Sequence, residues 1–179
     1  MAEAAASGDW AHRSGFAVIA ALSLFVRILP LSTLPAGWPG PDLLVCLAFA
    51  WVLRRPTYVP ALLIAIVFFI EDMVLLRPPG LWAFIVLMGS EFLRRREPLS
   101  RQLPFPLEWA MVAAVLLLMM AANRLIMAIV VSPQPDFGFA FIQIILTIAL
   151  YPAIVVLSHL AFGVRKSATG EVDSLGRRL

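Results

Sequence analysis

The sequence predicts an all-α protein of one domain that crosses a membrane six times. Of its 179 residues, 61% are hydrophobic and only 14% are charged, and the mean hydropathy is +0.92. A soluble domain is usually about half apolar and about a quarter charged, so this chain has more apolar surface than a small globule can bury. The apolar residues also fall into separate long runs with short polar connections. Together these observations favour a polytopic helical membrane protein.

Six apolar runs are predicted to form a transmembrane domain over residues 15–163. The runs cover residues 15–34, 42–53, 58–76, 80–93, 107–131 and 137–163. A crossing needs about 20 residues, whereas the second and fourth runs have only roughly 12 to 14. These two helices are expected either to include flanking residues in their spans or to cross a locally thin region of the membrane. Alternatively, one of them is a re-entrant segment, which enters and leaves the membrane on the same side.

The first run is predicted to be an uncleaved transmembrane helix that follows a cytoplasmic segment, residues 1–14. Glu3 and Asp9 accompany Arg13 before the run, and no convincing small-residue cleavage site follows it. A secretory signal would have a cationic start and such a site. At the other end, residues 164–179 are predicted to form a cytoplasmic tail.

Basic residues occupy alternate connections, which predicts the orientation. Cationic loops stay in the cytoplasm, so both termini are expected there, with three short proline- and glycine-rich connections on the outer side. The same arginines are also compatible with attraction to anionic lipid or to a cytoplasmic partner. The basic inner positions are Arg54, Arg55, Arg94, Arg95, Arg96, Arg101, Arg165 and Lys166.

Four charged residues at membrane depth form the candidate site. With a rise of about 1.5 Å per residue, Arg27, Asp72 and Arg124 lie about 18 Å, about 21 Å and about 25 Å from the inner ends of their helices. Glu71 adjoins Asp72. Charges inside a span are costly and are usually paired. We therefore expect Arg27, Glu71, Asp72 and Arg124 to form a paired cluster, and the sequence leaves open which arginine Asp72 meets.

Two other interpretations of Glu71 and Asp72 remain open. They could mark the outer end of a short third helix and contact water, or they could form a catalytic or proton-carrying pair. Neighbouring residues on a helix point about 100° apart, which disfavours joint action on one substrate. Glu91 is predicted to form a local ion pair, because Arg94 and Arg95 follow it three and four residues later on the same helix face.

No catalytic, cofactor-binding or metal-binding residue is predicted. Cys46 is the single cysteine, and His12 and His159 are the two histidines, so the usual metal ligands are too few and too dispersed. The pI of about 9.8 comes from the inner connections and does not imply nucleic acid as a partner.

Three segments carry a family resemblance. They are "PDLLVCLAFAWVLRRP" at 41–56, "FFIEDMVLLRPPGLWAFIVLMGSEFLRRR" at 68–96 and "YPAIVVLSHLAFGVRKSATGEVDSLGRRL" at 151–179. In order, length and tail they resemble the MreD family of bacterial rod-shape-determining proteins, in its alphaproteobacterial form. The stretch "EDMVLLRPPG" departs from the commoner family pattern by an extra acid, an arginine and two prolines, so a contact made there by other members could differ.

The resemblance implies a non-enzymatic subunit of the cell-elongation machinery in the bacterial inner membrane. Such members support peptidoglycan synthesis and cell shape by associating with MreC, a membrane-anchored scaffold. Through MreC they connect to MreB filaments, to the glycosyltransferase RodA and to its penicillin-binding protein. The family fold is similar to the six-helix substrate-binding subunits of energy-coupling-factor transporters.

The sequence therefore leaves three functions open. The first is a scaffold that docks a partner's transmembrane helix, the second is a transporter subunit that holds a small molecule, and the third is a membrane enzyme that uses Glu71 and Asp72. A fold alone does not decide among them. Co-purification of a partner, retention of a ligand, or loss of turnover in an Asp72→Asn variant would discriminate them.

Overall fold

The computed structural model describes residues 2–29, 40–130 and 136–162, and this part of the chain is all-helical, without a strand. The prediction of an all-α fold is confirmed for these residues. The helices follow the predicted runs in number and order. They are α1 (Ala2–Ile28), α2 (Leu43–Arg54), α3 (Ala61–Val74), α4 (Leu81–Gln102), α5 (Phe105–Ile129) and α6 (Phe137–Phe162).

Three of these helices are long and apolar enough to cross a membrane: α1 over Trp10–Ile28, α5 and α6. Helices α2 and α3 have 12 and 14 residues, so at about 1.5 Å per residue they are shorter than the hydrocarbon core, which is about 30 Å thick. The fourth apolar run is the first part of a longer helix, α4, which has 22 residues and continues through its arginines.

Local sequence explains where the helices begin. The carboxylate of Asp42 accepts a hydrogen bond from the Val45 N–H and caps α2. Pro60 and Pro104 precede α3 and α5, where a proline lacks an N–H that a first helical turn would not use. Gly80 precedes α4 with φ +82°, a left-handed conformation that glycine adopts without a steric penalty.

Helix α2 lies at the centre of the bundle. All of its residues from Leu44 to Arg54 are buried, and it packs against α1, α4 and α6. Helix α3 packs against α1 and α4, and α5 packs against α4 and α6. Helix α4 packs tightly against α2 and α5 at Gly89, where a Cβ atom would lie 2.8 Å from Met119 Sδ and 3.1 Å from Phe49 Cζ.

The helices alternate in direction, so the bundle has two distinct ends. At one end α1, α3 and α5 finish and α2, α4 and α6 begin, and we call it the Asp42 end. The opposite end, where α2 and α4 finish, is called the Arg54 end. Polar clusters lie at both ends of the bundle, on either side of an apolar middle.

Candidate functional site

An ion-pair cluster joins three helices at the Asp42 end. Arg27 of α1 contacts Glu71 of α3 (Nη1 to Oε1, 2.5 Å) and Asp42 at the start of α2 (Nη2 to Oδ1, 3.1 Å). The Glu71 side chain is fully buried, while that of Arg27 is 23% exposed. Such a pair stabilises only if both partners are present, because a buried charge left alone is costly.

Asp42 also ties this cluster to α6. Its backbone N–H donates to Thr147 Oγ1 at 2.9 Å, and the Thr147 hydroxyl donates to the Gln143 carbonyl at 2.7 Å. The Cys46 thiol donates to the Thr147 carbonyl at 3.3 Å. Asp42 was not among the predicted site residues. Its position directly before an apolar run was a visible N-cap signal, but the partner on α1 depends on tertiary packing.

The neighbouring acid, Asp72, serves a different helix. Its Oδ2 accepts a hydrogen bond from the Ala83 N–H (3.1 Å) in the first turn of α4, whereas Glu71 is directed to α1. Both side chains are buried, at 0% exposure, which is against the interpretation in which they contact water. Of the four predicted cluster residues, the structure brings Arg27 and Glu71 together and places Asp72 as a cap of α4.

Arg124, the fourth predicted residue, lies on α5 with its guanidinium 4.9 Å from the centre of the Phe137 ring. It lines a cavity of about 190 Å³ at the Asp42 end. The cavity lies at the start of α2 and is bordered by the α3–α4 turn and by α4, α5 and α6. Its lining comprises Asp42, Val45, Arg77, Pro78, Leu81, Trp82, Leu116, Met120, Asn123, Arg124, Met127, Ala140, Gln143, Ile144 and Thr147.

The turn between α3 and α4 presents an exposed apolar side chain. Leu76 is 93% exposed and has φ +53°, a left-handed conformation that a leucine rarely adopts. The Arg77 N–H donates to the Asp72 carbonyl at 3.0 Å, and the Asp72 carboxylate binds α4, so both sides of the turn are held. A strained residue kept in place by its surroundings is a frequent feature of functional sites.

A second polar cluster lies at the Arg54 end. Arg54 Nη1 donates to Glu108 Oε1 at 2.9 Å, and the Tyr151 hydroxyl donates to the same oxygen at 3.0 Å. All three residues are buried. The sequence analysis placed Arg54 in a connection between helices. In the structure it is the last residue of α2 and is linked to α5 and α6. This pairing could not be predicted, because the three residues are distant along the chain.

The other predicted basic residues have varied positions. Arg94 contacts Glu91 at 2.8 Å, which confirms that local ion pair, and it also donates to the Pro56 and Val59 carbonyls at 2.8 and 2.7 Å. It thereby joins the α2–α3 connection to α4. Arg55 is half-buried in that connection, and Arg95 and Arg96 are exposed on α4. The Arg101 side chain, Arg165 and Lys166 lie outside the described part of the structure.

Within the described residues, no group of three or more histidine, cysteine, aspartate or glutamate side chains is placed to hold a metal ion. Comparison of the chain with protein-family models, with curated proteins and with solved structures gives no match. The candidate site is therefore defined by its geometry: the ion-pair cluster, the cavity and the Leu76 turn, all at the Asp42 end.

Proposed function

We propose that this chain is a non-enzymatic scaffold subunit of the bacterial cell-elongation machinery, of the MreD type. It binds an MreC-like membrane-anchored protein and so supports peptidoglycan synthesis and cell shape, indirectly with MreB filaments, RodA and its penicillin-binding protein. The support is the resemblance of residues 41–56, 68–96 and 151–179. The first of these segments contains the central helix, and the second contains the second half of α3, the turn and most of α4.

In this proposal all six helices cross the inner membrane, with both termini in the cytoplasm and the Asp42 end on the periplasmic side. The arginines at the Arg54 end favour this orientation under the positive-inside rule. The short helices α2 and α3 end in clusters whose charges are paired, which lowers the cost of polar groups near membrane depth. The proposed fold is that of the substrate-binding subunits of energy-coupling-factor transporters.

The observation that carries the proposal is the Leu76 turn. An exposed leucine in a left-handed conformation has no evident value for the stability of this chain alone. Beside it, Met73 and Phe69 are also substantially exposed on α3. In this proposal a partner's membrane-proximal segment covers Leu76 where the helices leave the bilayer.

Co-purification of the full chain with its MreC-like partner from membranes tests this proposal. A Leu76→Asn variant removes the apolar contact, and asparagine tolerates a left-handed conformation better than leucine. We expect the recovered partner to fall about tenfold, which corresponds to about 1.4 kcal/mol of binding free energy. Stability of the isolated chain should be unchanged or increased.

The matched control is Leu99→Asn, which alters an exposed leucine in the second half of α4, towards the opposite end of the bundle. This variant should retain the partner at the level of the unaltered chain. Full recovery of the partner with Leu76→Asn, or an equal loss with Leu99→Asn, would contradict the docking role of the turn.

A small-molecule-binding subunit of a transporter is the second candidate, and the cavity at the Asp42 end favours it. Ligand pockets are concave and mostly apolar, with a few polar groups that orient the ligand. A stoichiometric small molecule retained after purification, without an MreC-like partner, would support this candidate over the scaffold.

A further inference from the structure

The outward face of α4 changes from apolar to basic along its length. Phe84, Met88 and Phe92 follow one another at intervals of four residues, and all three are exposed. Arg95 and Arg96 come three and four residues after Phe92 and are exposed as well. Residues at these spacings lie on one side of a helix. The face is therefore a continuous stripe with an apolar half and a cationic end.

The two arginines at the cationic end are not neutralised by an acid within the described residues. Glu91, which precedes Arg95 by one helical turn, is bound by Arg94. The guanidinium of Arg96 lies 5.1 Å from the centre of the Phe92 ring. Stacking on a ring leaves the N–H groups at the edge of the guanidinium plane able to donate. Both arginines can therefore meet an external anion.

The depth of these arginines matters if α4 crosses a membrane, as the proposed topology has it. At about 1.5 Å per residue, Arg95 lies about 21 Å from the start of α4, whereas the hydrocarbon core is about 30 Å thick. A guanidinium at this depth is costly unless it reaches water or an anionic oxygen. Lipid phosphate groups are the anions closest to such a position, and the bilayer thins locally around short apolar segments.

We propose that this face of α4 binds one anionic phospholipid of the cytoplasmic leaflet. The lipid phosphate accepts hydrogen bonds from Arg95 and Arg96, because guanidinium groups match the geometry of phosphate oxygens. An acyl chain lies along Phe92, Met88 and Phe84. The stripe from Phe84 to Arg95 is about 17 Å long, close to one leaflet of the hydrocarbon core. Charge complementarity favours an anionic over a zwitterionic headgroup.

This inference rests on the membrane crossing of α4 in the proposed function, but not on the docking role of the Leu76 turn. Its test measures lipid bound to the isolated chain, without a partner. The result is therefore separate from the co-purification of an MreC-like protein and from the labelling of either end of the bundle.

Native mass spectrometry of the full chain, purified in a non-ionic detergent, tests the proposal. The protein is titrated with phosphatidylglycerol and with phosphatidylcholine of the same acyl chains. A saturable 1:1 complex with phosphatidylglycerol is expected, with a dissociation constant at least about tenfold below that for phosphatidylcholine. In an Arg95→Gln/Arg96→Gln variant this preference should be lost, since each arginine near an anionic surface contributes about fivefold.

The matched control is Arg177→Gln/Arg178→Gln, which removes the same charge at the end of the chain and should leave the dissociation constant unchanged. A second variant, Phe92→Leu, keeps both charges and an apolar side chain but removes the ring that holds Arg96. It should weaken phosphatidylglycerol binding about two- to fivefold, as expected for one exposed cation–π contact. This variant serves where the double arginine variant does not fold.

Glycerol phosphate, added as a competitor, tests the apolar half of the stripe. It carries the phosphate without acyl chains and should not displace the bound lipid at equal concentration. The proposal is overturned if phosphatidylcholine binds as tightly as phosphatidylglycerol, or if glycerol phosphate displaces the lipid. It is also overturned if the Arg95→Gln/Arg96→Gln and Phe92→Leu variants bind like the unaltered chain, or if the Arg177→Gln/Arg178→Gln control loses as much affinity.

Discussion

At the scale of single residues, the two adjacent acids in "FFIEDMVLLRPPG" have separate roles. Glu71 binds Arg27 of α1, and Asp72 caps the start of α4. Residues that are neighbours on a helix point about 100° apart, so each acid faces a different element. The sequence allowed the depth of Arg27 and Asp72 to be estimated. It did not allow the partners to be chosen, because Asp42 comes close to Arg27, and the Ala83 N–H to Asp72, only through the tertiary fold.

The Arg27–Glu71 pair gives a stability prediction. A Glu71→Gln variant removes one of the two carboxylates that contact Arg27, which keeps Asp42 and is 23% exposed. The free energy of unfolding should therefore fall by about 1.5 kcal/mol, the lower end of the range for a hydrogen bond to a charged group. Unfolding in detergent micelles, followed by circular dichroism, measures this change. An Arg27→Gln/Glu71→Gln double variant should lose less than the sum of the two single variants. Strict additivity would show that the two side chains do not interact.

Asp72 should behave as a helix cap and not as an ion-pair partner. Asparagine can still accept the hydrogen bond from the Ala83 N–H, so Asp72→Asn should change stability by only a few tenths of a kcal/mol. Asp72→Ala removes the acceptor and should cost about 1 kcal/mol. The same unfolding measurement separates the two variants. An equal, large loss in both would indicate that the negative charge of Asp72 is what matters.

At the scale of helices, hydrophobic runs predicted the number and order of the elements, because each run had to be buried in protein or lipid. The limits of α4 were less predictable, since its basic second half continues the helix on the surface of the bundle. The position of α2 was not predictable at all. Its central burial follows from contacts with three other helices, and Arg54 is buried only because Glu108 and Tyr151 meet it.

Gly89 tests the close packing of α2, α4 and α5. Alanine favours a helix over glycine by about 1 kcal/mol, but here its Cβ would press on Phe49 and Met119. Overpacking costs about 1–3 kcal/mol, so Gly89→Ala should lower the midpoint of thermal unfolding. Gly138→Ala on α6 is the control, since its Cβ would meet only Asp136 Oδ2 at 3.5 Å. A higher midpoint for Gly89→Ala would show that the helices are not in close contact.

At the scale of the whole molecule, the two ends of the bundle differ in kind. The Asp42 end carries the ion-pair cluster, the cavity and the Leu76 turn, whereas the Arg54 end carries a buried triad and exposed arginines. The proposed function requires that the first end faces a periplasmic partner and that the second faces the cytoplasm.

Cysteine labelling measures this orientation. In a Cys46→Ser background, Leu76→Cys places a thiol in the α3–α4 turn and Thr57→Cys places one in the α2–α3 connection, both at exposed positions. A membrane-impermeant maleimide added to intact spheroplasts should label Leu76→Cys and should reach Thr57→Cys only after permeabilisation. The reverse pattern would invert the proposed topology, and labelling of both from outside would exclude the crossing by α3.

Site-specific photocrosslinking at the α3–α4 turn tests the scaffold role most directly. A photoreactive phenylalanine analogue replaces Leu76 in the full chain, in cells that contain the elongation machinery, and a second chain carries the analogue at Leu99. If the turn docks an MreC-like partner, irradiation should give one adduct of defined mass from position 76, containing a membrane-anchored protein, and none from position 99. Crosslinks from position 76 to lipid alone, or the same protein adduct from both positions, would contradict the proposed docking surface.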